Sequence, residues 1–191
     1  MNELNEAPTV TVRTATVADA QTLLDIYAPY VTHSIITFEY TVPTVAEFAE
    51  RIRETLTTYP YLVAEVGGRA VGYAYAHRFR TRAAYEWAVE LSIYTTQEYH
   101  GVGRALYTRL EELLRKQNVT TAIAYVTTDN DASVAFHEHM GYRVTGTVPN
   151  CAYKAGKWAG IVSLTKELVP LTCPPKPLIP FPDLEKQEKT L

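Results

Sequence analysis

Between Glu90 and Leu106 the chain reads Glu-Leu-Ser-Ile-Tyr-Thr-Thr-Gln-Glu-Tyr-His-Gly-Val-Gly-Arg-Ala-Leu, and this run limits the possible folds more than any other. A strand-like segment feeds a turn built on Gly101 and Gly103. A helix then begins at once, with Leu106, Leu110, Leu113 and Leu114 on its apolar face. Such a helix packs back on its own sheet, which points to an α/β or α+β architecture. Glycines let backbone approach a ligand closely, and free N–H groups at a helix start favour phosphate oxygens. The run lacks the Lys-Ser/Thr of a P-loop and the third glycine of a dinucleotide fingerprint. Taken alone, it suits a phosphate site or a plain tight turn.

The rest of the chain supplies the layers. Val10 to Arg13 reads as a short strand. Thr16 and Asp19 then open a helix carrying Ala20, Leu23, Leu24, Tyr27 and Val31. Thr44-x-x-Glu47 is a capping box before Phe48, Ala49, Ile52 and Leu56. Tyr61–Val66 and Ala70–Phe79 flank Gly67-Gly68 as a hairpin, and Ala84–Tyr94 is a third strand run. In the glycine-turn helix, Arg104, Arg109, Glu111, Glu112, Arg115 and Lys116 are expected on the solvated side. Thr120–Thr127, a short helix at Asp131–Met140, Tyr142–Val148 and Lys157–Leu168 complete the order βααβββαβαββ.

The boundaries follow from composition. Residues 1–8 are polar and acidic and are expected to be a flexible N-terminus without a signal peptide. Residues 9–169 form one domain. Residues 170–191 hold six of the eleven prolines and are expected to run as an extended tail, because proline lacks the backbone donor that sheets and helices need. The net charge of −3 speaks against a general polyanion binder, so nucleic acid is not expected as a partner. No apolar run is long enough to span a bilayer, so no membrane partner is expected. Cys151 and Cys173 are too few for a disulfide scaffold, and no H-E-x-x-H motif suggests a metal. A cytoplasmic setting is the expectation. Fourteen tyrosines against five phenylalanines suit pockets, interfaces or half-buried strands alike.

In order and spacing the chain resembles the GNAT N-acetyltransferases, and within them the phosphinothricin and methionine sulfoximine acetyltransferase-like group. The matching stretches include Thr37-Phe-Glu39, Tyr61-Leu-Val-Ala-Glu65, Val71-Gly-Tyr-Ala-Tyr75 and Arg82-Ala-Ala-Tyr-Glu-Trp-Ala-Val-Glu90. Gly103-Arg-Ala-Leu-Tyr107, Asn130-Asp-Ala-Ser-Val-Ala-Phe-His137 and Tyr153-Lys-Ala-Gly-Lys-Trp158 extend it across residues 11–170. The resemblance implies a mixed, mostly antiparallel sheet flanked by helices and split between its fourth and fifth strands, with acetyl-CoA in the split. Gly101, Val102, Gly103, Arg104 and Ala105 would hold the pyrophosphate. Ser92, Ile93 and Tyr94 would line the pantetheine, and Asn130 and Ser133 would add contacts. One departure stands out: counting back from Gly101 puts Glu98 where the family carries Arg or Gln, and an inward Glu98 would repel the pyrophosphate, whereas aligning from the strand pairs His100-Gly101 with the usual Arg-Gly and leaves the loop short.

Acetyl transfer to an amine needs a base, because an α-amine titrates near ~8 and is largely protonated at neutral pH. On spacing alone Glu90 reads first as a solvated strand carboxylate or an ion-pair partner. The resemblance makes it the base, strengthened by burial behind Trp87-Ala-Val89. It likewise makes His137 a catalytic group that assists the leaving thiolate, and a strand N–H near Ile93 the oxyanion donor. Arg80 and Arg82 would take a substrate carboxylate or phosphinate, since an arginine fork binds such groups bidentately. Phe38 and Tyr85 would wall the side chain, and Tyr153 belongs to a region that helps form a homodimer and completes a neighbour's pocket. The implied activity is N-acetylation of a small amino-acid analogue of the phosphinothricin, methionine sulfoximine or methionine sulfone type, a detoxifying reaction. Other amines, such as polyamines or protein N-termini, and a non-catalytic acyl-CoA-binding module are the alternatives.

Overall fold

A computed structural model describes residues 9–189. The expected flexible stretch, residues 1–8, lies outside the described residues. The strands are β1 (Val10–Thr14), β2 (Tyr61–Val66), β3 (Arg69–Arg78), β4 (Ala88–Thr95), β5 (Thr121–Thr127), β6 (Arg143–Lys154) and β7 (Lys157–Glu167). The helices are α1 (Ala20–His33), α2 (Val45–Leu56), α3 (Val102–Lys116), α4 (Asp131–His139) and α5 (Phe181–Lys189). The seven strands form one sheet in the order β1-β2-β3-β4-β5-β7-β6, in which β4–β5 is the single parallel pair. This is the mixed, mostly antiparallel sheet that the sequence led us to expect.

Strand alternation sends neighbouring residues to opposite faces. On β2, Leu62 and Ala64 join the core under α3, whereas Tyr61 and Val63 join the core under α1 and α2. The α3 stripe of Leu106, Leu110, Leu113 and Leu114 is buried as read from the sequence. The surplus of tyrosines collects on the other face. Tyr61 stacks on Tyr75 at 4.7 Å, and Tyr94 meets Tyr27 and Tyr73 at 4.8 and 5.4 Å. At the start of α2 the Thr44 hydroxyl accepts from the Glu47 amide, and the Glu47 carboxylate accepts from the Thr44 amide at 2.7 Å.

Four stretches differ from expectation, each for a local reason. Ala83–Tyr85 is a short 3-10 turn, and β4 starts only at Ala88, because Tyr85 turns out edge-on against Phe79 at 5.7 Å. Strand β6 runs on to Lys154 with a register break between Val148 and Ala152. Pro149 cannot donate there, and Asn150 takes a left-handed φ of 50°. Glu111 is buried rather than solvated, in ion pairs with Lys166 at 2.7 Å and Arg115 at 2.8 Å. The proline segment lies on its own domain and ends in a helix. Trp87 Nε1 donates to the Lys176 carbonyl and Asn118 Nδ2 to that of Pro177, while Phe181 and Leu184 of α5 enter the core. Pro182 falls in the first turn of α5, where a missing N–H costs nothing.

Candidate active site

The parallel pairing of β4 with β5 covers Ala88↔Thr121, Val89↔Ala122 and Glu90↔Ile123, and it ends there. Beyond Glu90 the strands part around the loop that follows α1. Thr127 of β5 donates its hydroxyl to the Ile35 and Ile36 carbonyls, and Tyr30 of α1 donates to the Thr95 carbonyl of β4. The split holds an outer chamber of about 570 Å3 and an inner one of about 70 Å3. Ile36, Ile93, Asn130 and Ser133 line both.

The outer chamber ends on the start of α3. Gly101 caps the helix with φ of 83°, a left-handed conformation that favours glycine. The Val102, Gly103 and Arg104 amides precede the first intrahelical bond, so they remain available to an anion. Ala105 differs from expectation: its amide already donates to the Gly101 carbonyl at 2.9 Å. A Cβ on Gly103 would stand 3.2 Å from the Phe136 ring, so α3 and α4 approach this closely because the residue is glycine. Glu98 faces Arg69 of the β2–β3 hairpin at 3.4 Å, which sets a cation beside the carboxylate that the sequence made suspect.

Backbone direction sorts the strand residues. Phe79 donates to the Ala88 carbonyl and Thr96 to that of Val71, so even-numbered residues of β4 bond to β3. Ser92 and Tyr94 therefore turn their backbone groups to β3, although both line the inner chamber. Ile93 turns its amide and carbonyl toward β5, beyond the point where pairing has stopped. Asn130 caps α4 through Oδ1, which accepts from the Ser133 amide at 3.2 Å.

Glu90, Tyr107 and His137 line the inner chamber. Glu90 keeps 25% of its side-chain surface exposed, more than burial behind Trp87-Ala-Val89 suggested, and its Oε1 lies 3.6 Å from His77 Nε2. His77 was not singled out in the sequence; the strand register pairs it directly with Glu90. Burial pulls His77 down, and the hydrogen bond and charge of Glu90 more than offset that, so it lies above the ordinary histidine value. His137 is buried at 2% exposure. Its Nδ1 donates to the Ser133 carbonyl at 2.7 Å, and its Nε2 accepts from the Tyr107 hydroxyl at 2.9 Å. Burial lowers the His137 pKa, partly opposed by that backbone bond, and burial raises the Tyr107 phenol. Both rings are thus held neutral with the ring nitrogens engaged, a poorer proton donor to a thiolate than expected of His137. Tyr107 escaped notice because a ring beside Leu106 reads as ordinary core.

Residues 12–161 match the acetyltransferase (GNAT) domain family. The chain belongs to the GNAT acetyltransferases. It is 34% identical over 90% of its length, and 94% of the relative's, to the phosphinothricin N-acetyltransferase of Streptomyces viridochromogenes. It is 30% identical to the L-methionine sulfoximine/L-methionine sulfone acetyltransferase of Salmonella typhimurium, covering 83% of this chain and 95% of that one. A crystal structure of a GNAT phosphinothricin acetyltransferase from Sinorhizobium meliloti in complex with acetyl-CoA superimposes with a TM-score of 0.84. That match has 33% identity and covers 92% of this chain and 97% of the other.

None of the remaining positions singled out in this GNAT sequence lines either chamber. Arg80 and Arg82 are exposed in the β3–β4 connection, which begins just after His77↔Glu90, and neither has an acidic partner among the described residues. Arg80 lies over the Phe79 ring at 4.5 Å. Tyr85 is exposed in the same connection. Phe38 is half-buried in the loop between α1 and α2. Its neighbours fix that loop: Thr37 bonds to Tyr27 and to Lys154 Nζ, and Glu39 pairs with Arg51 at 2.7 Å. Tyr153 is exposed on β6 beside Trp158, and its carbonyl accepts from the Tyr40 hydroxyl.

Proposed function

We propose that this GNAT protein transfers acetyl from acetyl-CoA to the α-amine of a small amino-acid analogue of the phosphinothricin, methionine sulfoximine or methionine sulfone type. The observation that carries this is the place of Glu90. It sits on the last β4–β5 pair, where the split opens, and the β3–β4 connection that leads into β4 carries two arginines without an acidic partner among the described residues. The chemistry of the cleft suits the cosubstrate. Ile93 offers an amide and a carbonyl to an amide-bearing arm, and the first turn of α3 offers free N–H groups to a pyrophosphate. When bound, acetyl-CoA supplies the activated acetyl thioester.

The chain's own residues do the rest. Glu90 removes the ammonium proton, through water where the amine stands off. Arg82, with Arg80, holds the substrate carboxylate and thereby orients the amine. The Ile93 amide faces the developing negative charge on the acyl oxygen. Tyr107 and His137 hold the inner wall as a neutral, hydrogen-bonded pair. Phe38 and Tyr85 flank the substrate side chain. The working unit is a homodimer. Val144, Val148, Tyr153 and Trp158 of the β6–β7 hairpin are exposed apolar side chains that suit a second copy. Exposed thiols at Cys151 and Cys173 fit a reducing cytoplasm, where the reaction removes a toxic amino-acid analogue.

A thiol-release assay with methionine sulfoximine, methionine sulfone, phosphinothricin, a polyamine and an N-terminal peptide tests this reading. Turnover with the amino-acid analogues is expected. Turnover confined to the polyamine or the peptide would overturn the substrate assignment.

A further inference from the structure

His77 falls between two of the stretches that carry the family resemblance, and nothing in them assigns it a role. The structure gives it a defined state. Its Nδ1 faces the Arg78 carbonyl at 3.3 Å; a carbonyl can only accept, so the proton of the neutral ring sits on Nδ1. The Nε2 lone pair is then turned toward Glu90 Oε1, 3.6 Å away. In the neutral state two acceptors face each other with no proton between them. Such a pair has room for one.

We propose that His77 and Glu90 form a proton-accepting dyad, in which Glu90 takes the ammonium proton of the substrate and His77 Nε2 holds it. This rests on the reading of Glu90 as the base. In the step, the N–H bond of the ammonium breaks and its electron pair stays on nitrogen. The proton passes to Glu90 and on to Nε2, so that Glu90 ends as a carboxylate and His77 as an imidazolium. The imidazolium returns the proton to solvent, which reaches the 41% of the His77 side chain that is exposed.

The dyad answers a mismatch in basicity. An amine near ~8 gives its proton to an ordinary carboxylate near ~4.3 against roughly a 10⁴-fold unfavourable equilibrium. An imidazole at or above its ordinary ~6.5 shrinks that to roughly 30-fold or less. The elevation of His77 by Glu90 works in the same direction. Few other groups face the pair. Tyr75 of β3 lies 6.0 Å from the His77 ring, with Glu39 and Arg51 beyond it from the preceding loop and α2. Tyr125 of β5 lines the chamber with Glu90, and Arg78 presents its carbonyl. Burial keeps Tyr75 a neutral phenol.

Two readouts on the full chain test the dyad. The first is an NMR titration of the His77 ring, without substrate. Its midpoint is expected above 6.5 in the wild type and lower by about one unit in Glu90→Gln. An unchanged midpoint overturns the coupling. The second is the pH profile of kcat for His77→Gln, alongside the KM for acetyl-CoA. At neutral pH kcat is expected to fall at least about tenfold with a displaced acid limb and unchanged KM, and added imidazole is expected to restore part of the rate to His77→Ala. A uniform loss at every pH, or none, overturns the dyad and leaves Glu90 as a base on its own. A fully active Glu90→Gln enzyme would remove the base and the dyad together.

Discussion

His137 lines the inner chamber, His77 faces the Glu90 carboxylate that lines it too, and the two histidines respond to pH with opposite signs. Burial disfavours the charged form of His137 in the folded chain, whereas the unfolded imidazole takes its proton near ~6.5. Below that pH the unfolded chain binds more protons, so the stability owed to a neutral His137 is present above ~6.5 and is lost as the pH falls. His77 is raised, so its contribution is full below ~6.5 and fades as the pH climbs through its folded value. In a His77→Gln background, which removes the opposing contribution, urea midpoints measured between pH 5 and 8 are expected to drop on the acid side and to flatten when His137→Gln is added. An unflattened profile would place the acid sensitivity elsewhere. Arg82→Ala is expected to raise KM for the amino-acid substrate about tenfold or more and to leave acetyl-CoA binding unchanged, read from initial rates. Glu90 and His137, which line the inner chamber of the candidate site, were legible in the sequence because they fall in motif stretches. His77 was not, since its partner lies across a β3–β4 connection whose length does not fix the register. Glu111 was misread because helix spacing marks a charged residue as solvated, and its cation Lys166 comes from β7, 55 positions on.

At the scale of elements, the start of α3 is where the proposed cosubstrate site depends most on backbone conformation. No atom lies within 4 Å of a Cβ built on Gly101, so Gly101→Ala is strained by its left-handed backbone alone. A cost of about 1–2 kcal/mol is expected, with weaker acetyl-CoA binding, measurable by urea unfolding and calorimetry. Unchanged binding would separate the glycine turn from the cosubstrate. The capping box at Thr44, the leucine stripe of α3 and the Gly67-Gly68 hairpin were legible because each is encoded within a few residues. The late start of β4 was not, because it depends on Tyr85 meeting Phe79. The length of β6 was not either, because a proline and a left-handed asparagine are accommodated by a register break rather than ending the strand.

Over the whole molecule, composition marked the tail as proline-rich, but its docking depends on surfaces that exist only after folding. Gln117 is fully buried, and its Nε2 donates to the Thr58 and Ile179 carbonyls. The Phe181 amide donates to the Thr58 carbonyl, which fastens the start of α5 against the core. Phe181→Ala is expected to destabilise the domain by about 3–4 kcal/mol in urea unfolding, and a loss below about 1 kcal/mol would make the docked tail incidental. The split sheet was legible through the resemblance, and the structure adds what opens it: pairing that ends at Glu90 and a loop held between Tyr30 and Thr127. Central to the proposed chemistry is that the carboxylate at that point acts as the base for acetyl transfer. Measuring kcat for Glu90→Gln with methionine sulfoximine, together with its Kd for acetyl-CoA, tests this most directly. A fall in kcat of at least about 100-fold with Kd unchanged is the expected result; kcat within a few-fold of wild type would contradict it.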